Sequence, residues 1–222
     1  MVAVSSIFKE KLILVFLFLA AISLTVQAQS ADDNPAWKIP EKMKKAALQA
    51  LAHFPELRNT QIQLIERKQS SPLQTAPRIL DILKPPSRRC YVVSISTNSS
   101  LDSIRFPNLS YPSQVGVLGH EFSHISDMKD FRFRDFIRHA FRYTFSRKYS
   151  NAFEYNTDLI CIQHGLGPNL LSWSREVRKK LGTKQYFQQK SSDDMPERYM
   201  NPDSILREMD KLPSNLPQFP DL

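Results

Sequence analysis

The chain contains few of the residues and patterns that define several common classes of protein. Its 222 residues include only two cysteines, Cys90 and Cys161, and neither has the spacing of a cysteine-ligated metal site. The two thiols can form one disulfide, or both can be buried as small hydrophobic groups. The sequence contains no internal repeats. It also contains no nucleic-acid-binding motif, so its net charge of +8 indicates anionic lipids or acidic glycans as partners and no nucleic acid.

Long hydrophobic runs are also missing, apart from one near the start of the sequence. Residues 12–26 are fifteen largely apolar positions, fewer than the ~20 that a membrane-spanning helix needs. A charged segment precedes this run, and the small residues Val26 and Ala28 stand at the usual cleavage positions. The pattern predicts a secretory signal peptide over residues 1–28 and export to the periplasm or the extracellular space.

The rest of the sequence is sufficient for one folded domain. Residues 29–212 can bury a sizeable core, and the proline-rich residues 213–222 are predicted to be an irregular tail. Helical and alternating patterns of apolar residues predict an α+β fold. Strands are expected at residues 61–67 and 91–96, and helices at residues 38–51 and 202–212.

One motif stands out, His120-Glu121-Phe122-Ser123-His124, which is an HExxH pattern. A chain with five histidines would contain it by chance only about 0.004 times. Residues four apart lie one turn above each other on a helix, so His120 and His124 can bind one metal ion while Glu121 faces the attacking water. A helix here is indicated by a proline in its first turn and by an apolar stripe: Pro112, then Val115, Leu118, Phe122 and Ile125.

A third metal ligand is expected downstream, on a second predicted helix that starts at Asn151 and ends near Gly165. Glu154 and Asp158 lie four apart and share one face of that helix. Glu154 can bind the metal while Asp158 accepts a hydrogen bond from a ligand imidazole and fixes its tautomer. Two alternatives are open: Glu154 forms only a capping box with Asn151, or Asp127 on the motif helix is the third ligand.

The combination of HExxH with a downstream Glu-x-x-x-Asp resembles the gluzincin metallopeptidases, which include the thermolysin-like enzymes. The resemblance covers the two predicted helices. It implies a zincin-like α+β fold with a small mixed sheet, an active-site helix, a second ligand-bearing helix and a mostly helical carboxy-terminal half. It also implies Zn²⁺ bound by His120, His124 and Glu154, with Glu121 as general base and Asp158 as the partner of His120. The thirty positions from His124 to Glu154 are more than in the thermolysin-like enzymes and resemble the CAAX-type integral membrane endopeptidases.

These features predict an exported zinc-dependent peptidase that hydrolyses peptide or protein substrates. The alternative is a zinc-binding or membrane-surface interaction protein without turnover. Retention of Glu121 argues against it, because a structural site needs no general base. The oxyanion donor is open among Tyr143, Tyr155 and Tyr199. Among the remaining histidines, His164 is interpreted as a helix-end residue. His53 and His139 are interpreted as surface residues.

The strand predicted at residues 91–96 has a possible role in binding substrate. In zincins the strand before the motif helix typically forms the lip of the cleft, where an extended peptide adds as a further strand. An ordinary sheet strand is the alternative. The sequence leaves both open.

The segment between the two site helices has a composition of its own. Within residues 131–146, apolar residues at helical spacing adjoin a stripe of three arginines. The apolar residues are Phe133, Phe136, Ile137, Ala140, Phe141 and Phe145, and the arginines are Arg134, Arg138 and Arg142. Such a helix can pack its phenylalanine face on the core, form a lid over the cleft, or lie on an anionic membrane. All three are compatible with the sequence.

Overall fold

The computed structural model of the protein describes residues 36–182 and 197–212. The predicted signal peptide, residues 1–28, and the predicted tail, residues 213–222, lie outside these residues. Within the described ranges, every helix is too short or too polar to span a bilayer.

A small mixed sheet and a larger set of helices form the fold, which confirms the α+β prediction. The four strands lie in the order β1-β2-β4-β3, with β1, β2 and β4 parallel and β3 antiparallel to β4. Their bounds are β1 Trp37–Lys38, β2 Gln61–Arg67, β3 Leu73–Pro77 and β4 Cys90–Ser96. Two of them, β2 and β4, match the strands expected from the sequence.

Residues 36–182 and 197–212 include six α-helices, which pack on the sheet and on each other. They are α1 Glu41–Ala52, α2 Tyr111–Met128, α3 Phe133–Phe145, α4 Arg147–Cys161, α5 Gly167–Leu181 and α6 Pro202–Asp210. The motif helix α2 is central: it contacts α1, α4, α5 and β3, and most of its residues are buried. Gly116 permits this packing, because a Cβ there would overlap the carbonyl oxygen of Asn169 on α5.

The second site helix begins earlier than the sequence predicted. Helix α4 starts at Arg147, where the Ser146 hydroxyl accepts a hydrogen bond from the Tyr149 amide. Asn151 and Glu154 are therefore interior positions, and the interpretation of Glu154 as a capping-box residue is wrong. The predicted end is confirmed, since Gly165 has a φ of 81° inside a π-helical segment, Ile162–Leu166, that joins α4 to α5.

The strand before the motif helix does not form the lip of a cleft. Strand β4 is paired on both sides, by β2 and by β3, so its backbone groups cannot receive a further strand. The expectation for residues 91–96 is wrong because the short strand β3, which the sequence did not predict, folds back antiparallel along β4. The sheet edge beside α2 is therefore β3.

The two cysteines are both buried free thiols, so they do not form the disulfide that their number permitted. Burial raises the pKa of both thiols, and that of Cys161 lies well above its usual range. Cys161 lies against α2, where its Sγ would be 3.1 Å from a Cβ placed on Gly119. The thiols therefore act as small hydrophobic groups in the core.

The start of the motif helix is held by a carboxylate from α5. Glu176 accepts hydrogen bonds from the backbone amide of Ser110, at 3.0 Å, and from its hydroxyl, at 2.6 Å. Burial alone would raise the pKa of Glu176, but hydrogen bonds from Lys180 and Ser110 lower it to about 2. A carboxylate at a helix amino terminus also interacts favourably with the helix dipole.

The E176Q variant is expected to lower the free energy of unfolding at neutral pH by about 1 kcal/mol. Because the pKa of Glu176 is about 2 in the folded protein and 4.5 as the reference value, this contribution is present above pH 4.5 and is lost as the pH falls towards 2. Denaturant unfolding at several pH values measures the difference. The Glu66→Gln variant is the control, because Glu66 is an exposed carboxylate on β2 and not at a helix amino terminus. An equal loss in both variants would contradict the anchoring role.

Candidate metal centre

Helices α2 and α4 bring three potential ligands together in the interior. His120 and His124 lie on successive turns of α2, and Glu154 faces them from α4; all three are buried. The Nε2 atoms of both histidines are 3.4 Å from Oε2 of Glu154. Among the described residues these three form the group of side chains close enough to hold a metal ion, with ligand atoms within 4.8 Å of one another. They are three of the residues expected from the sequence.

Each histidine is oriented by a partner on α4. Nδ1 of His120 lies 2.7 Å from Oδ1 of Asp158, and Nδ1 of His124 lies 3.1 Å from the hydroxyl of Thr157. Thr157 donates its own proton to the carbonyl of Phe153, so it accepts from His124. Both imidazoles therefore carry a proton on Nδ1 and direct Nε2 towards Glu154, which is the tautomer that a metal ligand needs.

Asp158 also contacts the start of the second described range, residues 197–212. Its Oδ2 accepts a hydrogen bond from the backbone amide of Met200 at 2.8 Å. One carboxylate thus joins the motif helix, α4 and residues 197–200. This segment carries Arg198 and Tyr199 to the metal centre.

The two oxygens of Glu154 have different surroundings. Oε1 accepts a hydrogen bond from the hydroxyl of Tyr143 on α3 and lies 3.7 Å from Nη2 of Arg198. Arg198 in turn donates to the Tyr143 hydroxyl at 2.7 Å. Oε2 is buried and has no hydrogen-bond partner among the described residues. A carboxylate oxygen that faces two imidazole nitrogens at 3.4 Å needs a shared cation, either a proton on one imidazole or a bound metal ion.

The charges in this group reinforce one another. Burial would lower the pKa of His120, but Asp158 and Glu154 raise it well above its usual range. Burial would raise the pKa of Glu154, but His124 and His120 hold it well below its usual range. Glu154 therefore stays ionised at neutral pH. A bound cation would take the place of the proton on His120.

Glu121 points to a different neighbour from the two histidines. Its Oε2 accepts a hydrogen bond of 2.6 Å from the hydroxyl of Thr75, which lies in the middle of edge strand β3. Glu121 is buried but is outside the group that can hold a metal ion. This contact fixes the carboxylate of Glu121 between the sheet edge and the metal ligands.

Aromatic side chains surround the ligands. Phe153 stacks on His124 with ring centroids 5.2 Å apart, and Trp173 and Tyr199 each lie 5.7 Å from the ring of His120. His139 of α3 packs on Phe153 at 4.4 Å, and burial lowers its pKa to about 4. The prediction that His139 is a surface residue is wrong, because it belongs to this aromatic layer.

Other residues considered from the sequence lie apart from the metal ligands. Asp127 is outside the ligand group, and burial raises its pKa. The Tyr155 hydroxyl lies 3.4 Å from Glu208, on the α6 side of α4. His53 is half-buried, and its Nδ1 is 2.7 Å from the carbonyl oxygen of His164. His164 lies just after the end of α4, as predicted, and its Nδ1 is hydrogen-bonded to the carbonyl oxygen of Ile160 at 2.8 Å.

Three residues of the centre were not identified from the sequence. Thr157 had a usable signal, since it precedes Asp158 and lies three positions after Glu154 on the same helix face. Thr75 and Arg198 had no such signal, because Thr75 is 46 positions from Glu121, which it contacts, and Arg198 is 44 positions from Glu154.

Comparisons with protein-family models, with curated proteins and with solved structures give no match. The assignment of function therefore depends on the geometry of the centre.

Proposed function

We propose that the protein is an exported zinc-dependent peptidase with a zincin-like fold, in which His120, His124 and Glu154 hold the metal. The observation that carries the proposal is the buried Oε2 of Glu154, which has no hydrogen-bond partner among the described residues and lies 3.4 Å from both Nε2 atoms. Donors at the corners of a tetrahedron with bonds of about 2.1 Å are about 3.4 Å apart. The two nitrogen-to-oxygen distances therefore suit Zn²⁺ bound by two imidazoles and one carboxylate.

The donor set also suits a catalytic metal better than a structural one. Structural zinc sites usually have four protein ligands, whereas catalytic sites have three and leave one position for water or substrate. The group here has three members. Glu121, beside it but not part of it, is the additional group that hydrolysis requires.

The chain's own residues account for the proton transfers of peptide hydrolysis. Bound zinc would acidify water and polarise the substrate carbonyl. Glu121 accepts the proton of the attacking water and returns it to the leaving amine. Thr75 orients Glu121 by its hydrogen bond to Oε2, which leaves Oε1 for the proton. Asp158 and Thr157 keep the imidazoles in place throughout.

Among the three tyrosines considered as oxyanion donors, Tyr199 is the best supported. Its ring adjoins His120, and burial together with the charges of Glu154 and Tyr143 raises its pKa well above its usual range. The phenol is therefore protonated and can donate a hydrogen bond. The Tyr155 hydroxyl faces Glu208 and not the three candidate ligands.

Metal analysis and an activity assay on the protein isolated after export test the proposal. We expect one zinc ion per chain, cleavage of a denatured protein mixture, loss of cleavage after chelation and recovery on addition of zinc. Protein that holds stoichiometric zinc without cleaving any substrate would support the silent zinc-binding alternative. Protein that binds no zinc would contradict the proposal entirely.

A further inference from the structure

Helix α3 exposes an apolar surface that the core does not use. Phe133, Ile137 and Phe141 are 45%, 50% and 50% exposed, whereas Phe136 is 6% exposed and packs inward. The three exposed side chains are spaced by four residues, so they form one stripe along the helix. Of the three alternatives, packing of the whole phenylalanine face on the core therefore does not hold for Phe133 and Phe141.

A neighbouring turn extends this apolar surface. Leu80 and Leu83, in the 3₁₀ segment Ile79–Leu83, are 71% and 69% exposed, and the segment contacts α3. We call these five side chains the apolar patch: Leu80, Leu83, Phe133, Ile137 and Phe141. They are the majority of the large hydrophobic side chains that the described residues expose. A concentration of this kind marks an interaction surface.

A buried arginine holds the two parts of the apolar patch together. Arg89 donates hydrogen bonds to the carbonyl of Lys84, at 3.0 Å, and to the carbonyl of Phe131 just before α3. Its guanidinium also lies over the ring of Phe136, 5.1 Å from the centroid. The turn and the helix are therefore fixed against each other, and the patch is one surface.

The apolar patch is bordered by positive charge. Each apolar residue of the α3 stripe is followed by an exposed arginine, which the helix places about 100° further round. The turn is followed by two more exposed basic residues. These basic residues are Arg134, Arg138, Arg142, Lys84 and Arg88. Two of these basic residues have an acidic partner: Lys84 lies 2.7 Å from Asp81, and Arg138 lies 3.8 Å from Asp135.

The opposite face of α3 belongs to the metal centre. Phe136, His139 and Tyr143 point inward; His139 packs on Phe153, and Tyr143 donates to the metal-facing carboxylate Glu154. A single helix, about 10 Å in diameter, therefore separates the apolar patch from this centre. Whatever covers the patch lies close to the site of the proposed chemistry.

We propose that the apolar patch and its basic border dock the protein on the surface of an anionic lipid bilayer. The apolar side chains enter the boundary between headgroups and acyl chains, and the arginines contact lipid phosphates. An apolar stripe beside a basic stripe complements such a surface in both hydrophobicity and charge. The docking goes beyond the proposed peptidase activity and does not depend on it, but it would bring the metal centre to membrane-associated substrates.

Cosedimentation with lipid vesicles tests this docking. The protein is the form isolated after export, with its amino terminus established by mass spectrometry, because the apolar run at residues 12–26 would itself bind lipid if it were retained. Vesicles contain phosphatidylcholine alone or with added phosphatidylglycerol. We expect binding to the anionic vesicles at low salt, weaker binding as the salt concentration rises, and little binding to the neutral vesicles.

Matched variants assign the binding to the patch. Changing Phe133, Ile137 and Phe141 together to Ser is expected to weaken partitioning roughly 30-fold. Changing Arg134 and Arg138 to Gln is expected to weaken it roughly tenfold. Two control variants make the same kinds of change at exposed positions outside the patch, and both should bind as wild type does. One changes Leu48 and Leu206 to Ser, and the other changes Arg175 and Lys179 to Gln.

Several outcomes would overturn the proposal. Wild-type protein could stay in the supernatant with anionic vesicles at low salt, or it could bind neutral and anionic vesicles equally. The serine variant could also bind anionic vesicles as tightly as wild type does. Circular dichroism verifies the fold of each variant. If the triple variant unfolds, the single change Ile137→Ser replaces it, with an expected loss of about threefold.

Discussion

The E121Q variant is expected to lose peptidase turnover by roughly 10²- to 10⁴-fold while it retains its zinc. The amide of Gln can still accept the hydrogen bond from Thr75, but it cannot accept a proton from water. Glu121 lies outside the ligand group, so the metal should stay bound. The measurements are kcat/KM on a denatured protein substrate and zinc content per chain.

The control for this prediction is Glu66→Gln, which makes the same change at an exposed position on β2. It should match wild type in both measurements. Near wild-type turnover in E121Q would show that another group is the general base. Loss of zinc from E121Q would show that Glu121 is itself a ligand.

The Glu154→Ala variant is expected to bind zinc more weakly by at least about 100-fold, since removing even a partner of a metal ligand costs 10- to 100-fold in affinity. The physical reason is the loss of the charged oxygen that faces both Nε2 atoms. Titration of metal-free protein with zinc, in competition with a chromogenic chelator, measures the affinity. Glu154→Gln keeps an oxygen for Tyr143 to contact and separates the loss of charge from the loss of packing.

Two aspartates provide the comparison for Glu154. Asp127→Ala should bind zinc as wild type does, because Asp127 is outside the ligand group. Asp158→Asn should be intermediate, weakened by about 10- to 100-fold, because it orients His120 without contacting the metal. A larger effect at Asp127 than at Glu154 would move the third ligand onto the motif helix.

The sequence was most informative where the relevant distance is set by one helix. His120 and His124 are neighbours on any α-helix, as are Glu154 and Asp158, because residues four apart lie on successive turns. The pattern of apolar residues likewise predicted β2, β4 and the left-handed end at Gly165. It placed the start of α4 incorrectly, because the N-cap is Ser146 and a second plausible cap, Asn151, lies within the helix.

Local pattern was insufficient wherever a residue's role depends on a distant part of the chain. Strand β3 is short and contains no strong alternation, so only its pairing with β4 makes it the sheet edge that brings Thr75 to Glu121. Arg198 reaches Glu154 because Asp158 binds the backbone at Met200. On α3, periodicity identified an amphipathic helix, but only the tertiary structure packs Phe136 against Phe131 and Arg89 and leaves Phe133 and Phe141 exposed.

By itself, therefore, the sequence determined the α+β class, the spacing of the motif histidines and the carboxylates expected beside them, since helix and strand periods are local properties of the backbone. Only the tertiary structure decided that Glu154 faces both imidazoles, that Thr157 and Asp158 each orient one of them, and that β4 is covered on both edges. Those outcomes depend on how helices and strands pack across long separations in the chain. Burial and shape, which no short segment encodes, select that packing.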